Sequence, residues 1–211
     1  HMLSVGAGIF LLLFSCAAFL MSAVAGGGAA FILMPVLRFW LPIVEVPGAL
    51  AIGTATSSVS RIVVLGRNIR WDVVRQFVPL ALPGTMLGAL LLRFMNSDYV
   101  ELILSLFLLS NLPLIFFPER ANKRPLKFSF SHLGLAAGFV SGLTGAVGVL
   151  FNGFYLRSGL AKEEIVATRA ANEVILHLAK LCIYAGLGLL SRNSLALGFS
   201  VALGAVAATL I

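Results

Sequence analysis

The chain has 211 residues, of which 60% are hydrophobic and only 11% charged, with a net charge of +7. Soluble domains carry about a quarter charged residues, so this composition cannot supply a water-facing surface and reads as an all-α polytopic protein embedded in a lipid bilayer. The basic surplus collects in loops between apolar runs, which marks topology and not nucleic-acid binding.

His1-Met2 reads as a cloning remnant and is set aside. Leu11 to Ala25 ends in Ala23-Val24-Ala25, which resembles a signal-peptide cleavage site, but no basic region precedes it, so it is expected to stay as a first membrane segment. The stretch 4 to 40 is broken at Gly26-Gly27-Gly28 and is expected to enter and leave on the external side. Apolar runs at 47 to 66, 73 to 92, 99 to 117, 165 to 190 and 194 to 211 approach the roughly 20 residues that a bilayer crossing needs. Arg67, Arg70 and Arg75 follow the first of these, and Arg120, Lys123, Arg124 and Lys127 follow the third, whereas the loop at 93 to 98 holds one base and one acid. Short cytoplasmic loops are rich in Lys and Arg. Residues 67 to 71 and 118 to 130 are therefore expected in the cytoplasm, with 93 to 98 outside.

Residues 131 to 157 are too short for two crossings and are interrupted by Gly142, Gly145 and Gly148. They cross once at a steep tilt or turn back as two half-helices; Arg157 and Lys162 just after them favour a return to the cytoplasmic side. Placing residues 17 to 41 over 136 to 160, at a constant offset of 119, pairs Ser22 with Ser141, Gly26 with Gly145 and Arg38 with Arg157, among seven identities. The element order agrees: a Gly-broken hairpin, a polar-faced span, then a further span. Two inverted repeats follow, as in many secondary transporters: residues 1–117, a basic linker at 118–130, and residues 131–211. The second repeat is one span shorter than the first, so a further span is expected.

Three clusters carry the chemistry. Gly26, Gly27 and Gly28, with Gly145, serve either close helix packing or half-helix N-termini whose N–H groups and positive dipole ends suit an anion. Thr54, Ser57, Ser58 and Arg61 fall at i, i+3, i+4 and i+7, one helical face, with Thr56 nearby; Arg61 is an anion ligand or an interfacial anchor. Arg169, Asn172, Glu173, His177 and Lys180 form a second stripe within an apolar span. Ionisable groups at such depth are costly and face a bundle interior or an aqueous cavity. As a structural ladder, Arg169 pairs with Glu173 and Glu173 with His177. As a transport site, Arg169 and Asn172 hold an anion, with Asn152 as a further ligand, while Glu173 and His177 carry a coupling proton. Aligning the polar faces of the two repeats places Thr54 over Arg169 and Ser57 over Asn172. Cys16 and Cys182 sit in apolar segments and read as packing residues.

Ser22-Ala-Val-Ala-Gly-Gly-Gly28, Pro35-Val36-Leu37, Ala51-Ile52-Gly53-Thr54-Ala55-Thr56-Ser57-Ser58 and Ser141-Gly142-Leu143-Thr144-Gly145 together resemble the TauE/SafE-type sulfite and organosulfonate exporters, over nearly the whole chain. Ala146-Val147 stands where a fuller glycine run is usual. The resemblance implies a multi-pass permease of the bacterial inner membrane for sulfite, sulfonates or related sulfur anions. A channel of the same fold and a non-transporting scaffold subunit are the competing classes. An enzyme is not expected, because no metal spacing, Ser-His-Asp set or nucleotide loop is present; no cofactor or metal is expected either.

Overall fold

The structure, a computed structural model, describes residues 5–25, 28–116, 129–146 and 151–210. These form nine α-helices: α1 (Val5–Ala25), α2 (Ala29–Leu37), α3 (Val46–Leu65), α4 (Trp71–Phe94), α5 (Ser97–Phe116), α6 (Phe130–Thr144), α7 (Asn152–Leu156), α8 (Lys162–Gly186) and α9 (Arg192–Leu210). The five expected spans correspond to α3, α4, α5, α8 and α9. Four segments, Val5–Ser22, Ile43–Asn68, Trp71–Phe94 and Arg192–Leu210, are long and apolar enough by themselves to cross a membrane. Helix α8 matches them in length but carries the polar stripe. The chain is thus an all-α polytopic membrane protein. Gly26, Gly27, Gly148 and the basic stretch up to Phe128 lie outside the described residues.

Polar contacts define two ends of the bundle. At one, the Arg70 amide donates to Thr168 Oγ1 at 2.9 Å and Arg70 pairs with Glu164 at 3.5 Å, joining the α3–α4 turn to the start of α8. Ser131 Oγ donates to the Gln76 carbonyl at 3.0 Å and brings the start of α6 to this Arg70 end. At the other, Arg93 Nε donates to the Leu187 carbonyl at 3.0 Å and Ser191 donates to Glu45. This Arg93 end gathers the start of α3, the end of α4 and the α8–α9 turn.

Both Gly-rich regions are hairpins. Gly28, at φ 112°, opens α2, and the chain returns until the Trp40 ring lies 6.0 Å from Phe10 near the start of α1. Gly145, at φ 83°, closes α6 in the left-handed conformation that glycine tolerates best. The returning α7 sets the Tyr155 ring 5.9 Å from Phe130 at the start of α6. The first hairpin opens at the Arg93 end and the second at the Arg70 end. Of the two readings of 131 to 157, the turn-back is the one the chain adopts.

Helix contacts rest on small residues. Helix α6 runs parallel to α4 with Gly134, Gly138 and Gly142 flush on the backbone of Phe77, Ala81 and Thr85, while Gly84 and Gly88 of α4 admit α6 in return. A methyl at any of these α6 positions would overlap the α4 backbone, the small-residue packing that membrane helices use where lipid removes the hydrophobic drive to associate. Helix α9 runs parallel to α1 and α3, with Gly204 against Leu12 and Ser15, and Gly53 against Val201. Helix α8 runs antiparallel to α3, setting Thr54 beside His177 and Ser58 beside Glu173. Each hairpin's entering helix therefore packs beside the second long span that follows the other hairpin, α6 on α4 and α1 on α9.

Candidate functional site

The α3–α8 seam concentrates the membrane chemistry. Both stripes are placed by helical periodicity, and antiparallel packing brings them face to face. Glu173 is the hub: its Oε1 accepts from Arg169 Nη2 at 3.0 Å, and its Oε2 accepts from Ser58 Oγ at 2.9 Å and lies 3.6 Å from Arg61 Nη2. Arg169 also donates to the side-chain oxygen of Asn152 on α7. Arg61 is steadied from its own helix, its Nε donating to the Ser57 carbonyl at 3.4 Å. Two guanidiniums thus converge on one carboxylate, leaving one positive charge in surplus. Charges at such depth persist only when paired or held for function.

Above this network is a cavity of about 50 Å³ lined by Arg61, Arg169, Glu173, His177 and Thr54, with Phe19 and Ser22 of α1, and closed by Gly28, Ala29, Ala30 and Ala146 from the two hairpin breaks. A water occupies about 10–15 Å³ on this measure, so the space suits a few waters or one small oxyanion. A wider chamber of about 380 Å³ shares Phe19, Ser22, Arg61 and Arg169 with it and continues along Ser57, Ser60, Val64, Leu65, Val166, Ala205, Ala208 and Thr209 towards the Arg70 end. Arg61 and Arg169 stand where the chambers meet.

The predicted site residues separate into groups. Thr54, Arg61, Arg169, Glu173, His177 and Gly28 line the small cavity. Ser57 lines the wide chamber, and Ser58 is fully buried against Glu173. Asn152 and Asn172 sit one layer behind, where Asn172 Nδ2 donates to the Tyr155 hydroxyl at 2.9 Å and Asn152 supports Arg169. Thr56 turns away and donates to the Ile52 carbonyl at 3.1 Å, the backbone bond that membrane hydroxyls often make. Gly145 presses on the backbone of Pro47, while its neighbour Ala146 reaches the cavity. The expected rung between Glu173 and His177 is replaced: His177 Nδ1 lies 3.5 Å from Thr54 Oγ1, and Arg61 takes the place of His177 on the carboxylate. Gly26 and Gly27 lie outside the described residues.

Sequence reasoning left Lys180 without a role. It is fully buried, and its Nζ donates to Ser141 Oγ at 2.8 Å and to the Gly145 carbonyl at 2.7 Å. Tyr184, one turn on, donates to the Gly142 carbonyl at 2.5 Å. Both satisfy carbonyls that the end of α6 leaves without intrahelical partners. Their signal was available, since Lys180 continues the α8 stripe.

No curated protein and no solved structure matches the chain. The pattern of the sulfite exporter TauE/SafE family matches residues 10–211, a span that takes in both hairpins, the α3–α8 seam and every residue of the cavity. The chain belongs to the sulfite exporter TauE/SafE family.

Proposed function

We propose that the chain is a secondary transporter of small sulfur-containing anions such as sulfite or sulfonates, coupled to protons, and built as two inverted halves in the bacterial inner membrane. The observation that carries this reading is the convergence of Arg61 and Arg169 on the single carboxylate of Glu173, inside a cavity roofed by both hairpin breaks. The surplus positive charge selects an anion, the cavity volume selects a small one, and the family name supplies the sulfur chemistry.

The inverted halves rest on three observations. The hairpins open at opposite ends of the bundle. The entering helices exchange partners, α6 with α4 and α1 with α9. The two seam contacts, Thr54 with His177 and Ser58 with Glu173, exchange under the same offset of 119 that aligns the hairpins, since it carries Thr54 to Glu173 and Ser58 to His177. This register differs by four residues, one helical turn, from the one read by matching polar faces.

The basic content of the loops assigns the Arg70 end to the cytoplasm. A single cysteine at Asn68 is then expected to label from the cytoplasmic face alone and one at Asn96 from outside alone; the reverse pattern in intact cells would invert the topology. For transport, the test is flux into proteoliposomes of sulfite, thiosulfate, sulfate, sulfoacetate, taurine and phosphate, with and without a pH gradient. Saturable flux of a sulfur oxyanion or sulfonate, stimulated by the gradient, is expected. Flux that stays linear in concentration would indicate a channel, and no flux of any of these anions would remove the reading.

A further inference from the structure

Lys180 and Arg61 occupy equivalent places in the two halves. The offset of 119 that carries Thr54 to Glu173 and Ser58 to His177 also carries Arg61 to Lys180, Ser22 to Ser141 and Gly26 to Gly145. Each cation thus stands on the long span of its half, less than one turn beyond the nearer seam contact. Each also has a counterpart serine on the entering helix of its own hairpin. The two are in opposite conditions. Lys180 is fully buried and holds Ser141 Oγ at 2.8 Å and the Gly145 carbonyl at 2.7 Å, tying the second hairpin to α8 towards the Arg93 end. The Arg61 side chain is 36% exposed and reaches across to Glu173 instead. Ser22 lines both chambers together with Arg61. The wide chamber lies on the side where Arg61 has not closed on its own hairpin, and the packed region lies where Lys180 has.

We propose that Lys180 and Arg61 are alternating latches on the two hairpins, and that Lys180 is a positioning residue for transport that acts through Ser141 and the Gly145 carbonyl and touches no substrate. With Lys180 engaged, the half towards the Arg93 end is shut and Arg61 faces the anion from the cytoplasmic chamber. In the opposite conformation Arg61 closes on Ser22 and Lys180 lets go of Ser141. The same cation thus serves as anion ligand in one state and latch in the other, so an anion on Arg61 delays the closing of the first hairpin. The proposal rests on the inverted-repeat reading above but not on which anion is carried.

The test needs no substrate. In a background with Cys16 and Cys182 replaced by alanine, a single cysteine at Ala208, on the wall of the wide chamber, is labelled with an impermeant maleimide in inside-out vesicles. Lys180→Met is expected to slow labelling about tenfold, the loss of a charge-assisted hydrogen bond biasing the population towards the state closed on the cytoplasmic side. Lys180→Arg retains most of the parent rate. Ser141→Ala, a gentler change at the same latch, moves the rate in the same direction by less, and Ser22→Ala leaves it at or above the parent rate. Unfolding exposes position 208 and speeds labelling, so misfolding cannot imitate the expected slowing. An unchanged or faster rate in Ser141→Ala, or a shift of Ser22→Ala and Ser141→Ala in the same direction, overturns the latches. Failure of every anion in the flux screen would leave this measurement interpretable, and failure of the latches would leave the flux result standing.

Discussion

Arg169→Ala is expected to weaken binding of a small oxyanion by about a hundredfold or more, read as the concentration needed to compete for flux in proteoliposomes. A charge-assisted hydrogen bond contributes about 1.5–3 kcal/mol, which alone gives roughly ten- to a hundredfold. Charge balance adds to this. The parent cavity has Arg61 and Arg169 against Glu173, so a monoanion brings the three side chains and the cargo to neutrality. Without Arg169, the site is neutral when empty, and the same anion leaves a buried net negative charge, which costs several kcal/mol if uncompensated. The diagnostic experiment is the double variant Arg169→Ala with Glu173→Gln. It removes one charge of each sign and restores the surplus on Arg61, so it is expected to bind better than Arg169→Ala alone. If Arg169 only ties α8 to α7 through Asn152, the second substitution removes a further contact and binding stays lost.

How much of this was legible in the sequence depends on the kind of contact. Spans α3, α4, α5, α8 and α9 follow from apolar runs interrupted by charged loops, because lipid demands long apolar helices. The two polar stripes were visible because helical periodicity puts i, i+3, i+4 and i+7 on one face. The side of each helix that carries chemistry can thus be read locally. The register between stripes cannot. Matching polar faces says which residues are alike in the two halves, Thr54 with Arg169, but not which ones meet, and in the packed seam Thr54 lies against His177 and Ser58 against Glu173. That register depends on how the two helices approach one another, which shape, not polarity, determines. Lys180 escaped assignment for a related reason. Its partners are Ser141 and a backbone carbonyl 35 residues away, and a carbonyl leaves no trace in a sequence. Thr54 and Thr56 both donate to carbonyls of their own helix, Leu50 and Ile52, so a hydroxyl's type and spacing do not say whether it also faces the cavity.

Glu173→Gln is expected to keep binding but lose the pH dependence of transport. The physical case begins with the carboxylate's surroundings: Arg169 and Arg61 face it as cations, Ser58 donates to it, and His177 and Lys180 lie one and two turns along the same helix. An oxyanion entering the cavity competes for the guanidiniums that hold Glu173. A monoanion can be accommodated with Glu173 still charged, since two cations then balance two anions. A dianion exceeds the balance by one charge, and a proton on Glu173 removes the excess. Binding of dianion and proton is then mutually favourable, which is the thermodynamic condition for cotransport. Glutamine imitates the protonated carboxyl, so the variant binds a dianion as well as the parent does at low pH and gains nothing from further acidification. Thiosulfate is the suitable probe because its charge is constant around neutral pH. For the parent, thiosulfate flux is expected to rise as pH falls; for Glu173→Gln it is expected to be flat, and each turnover carries one more negative charge, seen as a stronger dependence on membrane potential. His177→Gln serves as the counter-test, because His177 is the other titratable group on the cavity wall and faces Thr54 at 3.5 Å. Should Glu173→Gln keep the parent's pH profile while His177→Gln flattens it, the coupling proton resides on the imidazole and Glu173 serves only to hold the two arginines in place until the anion arrives.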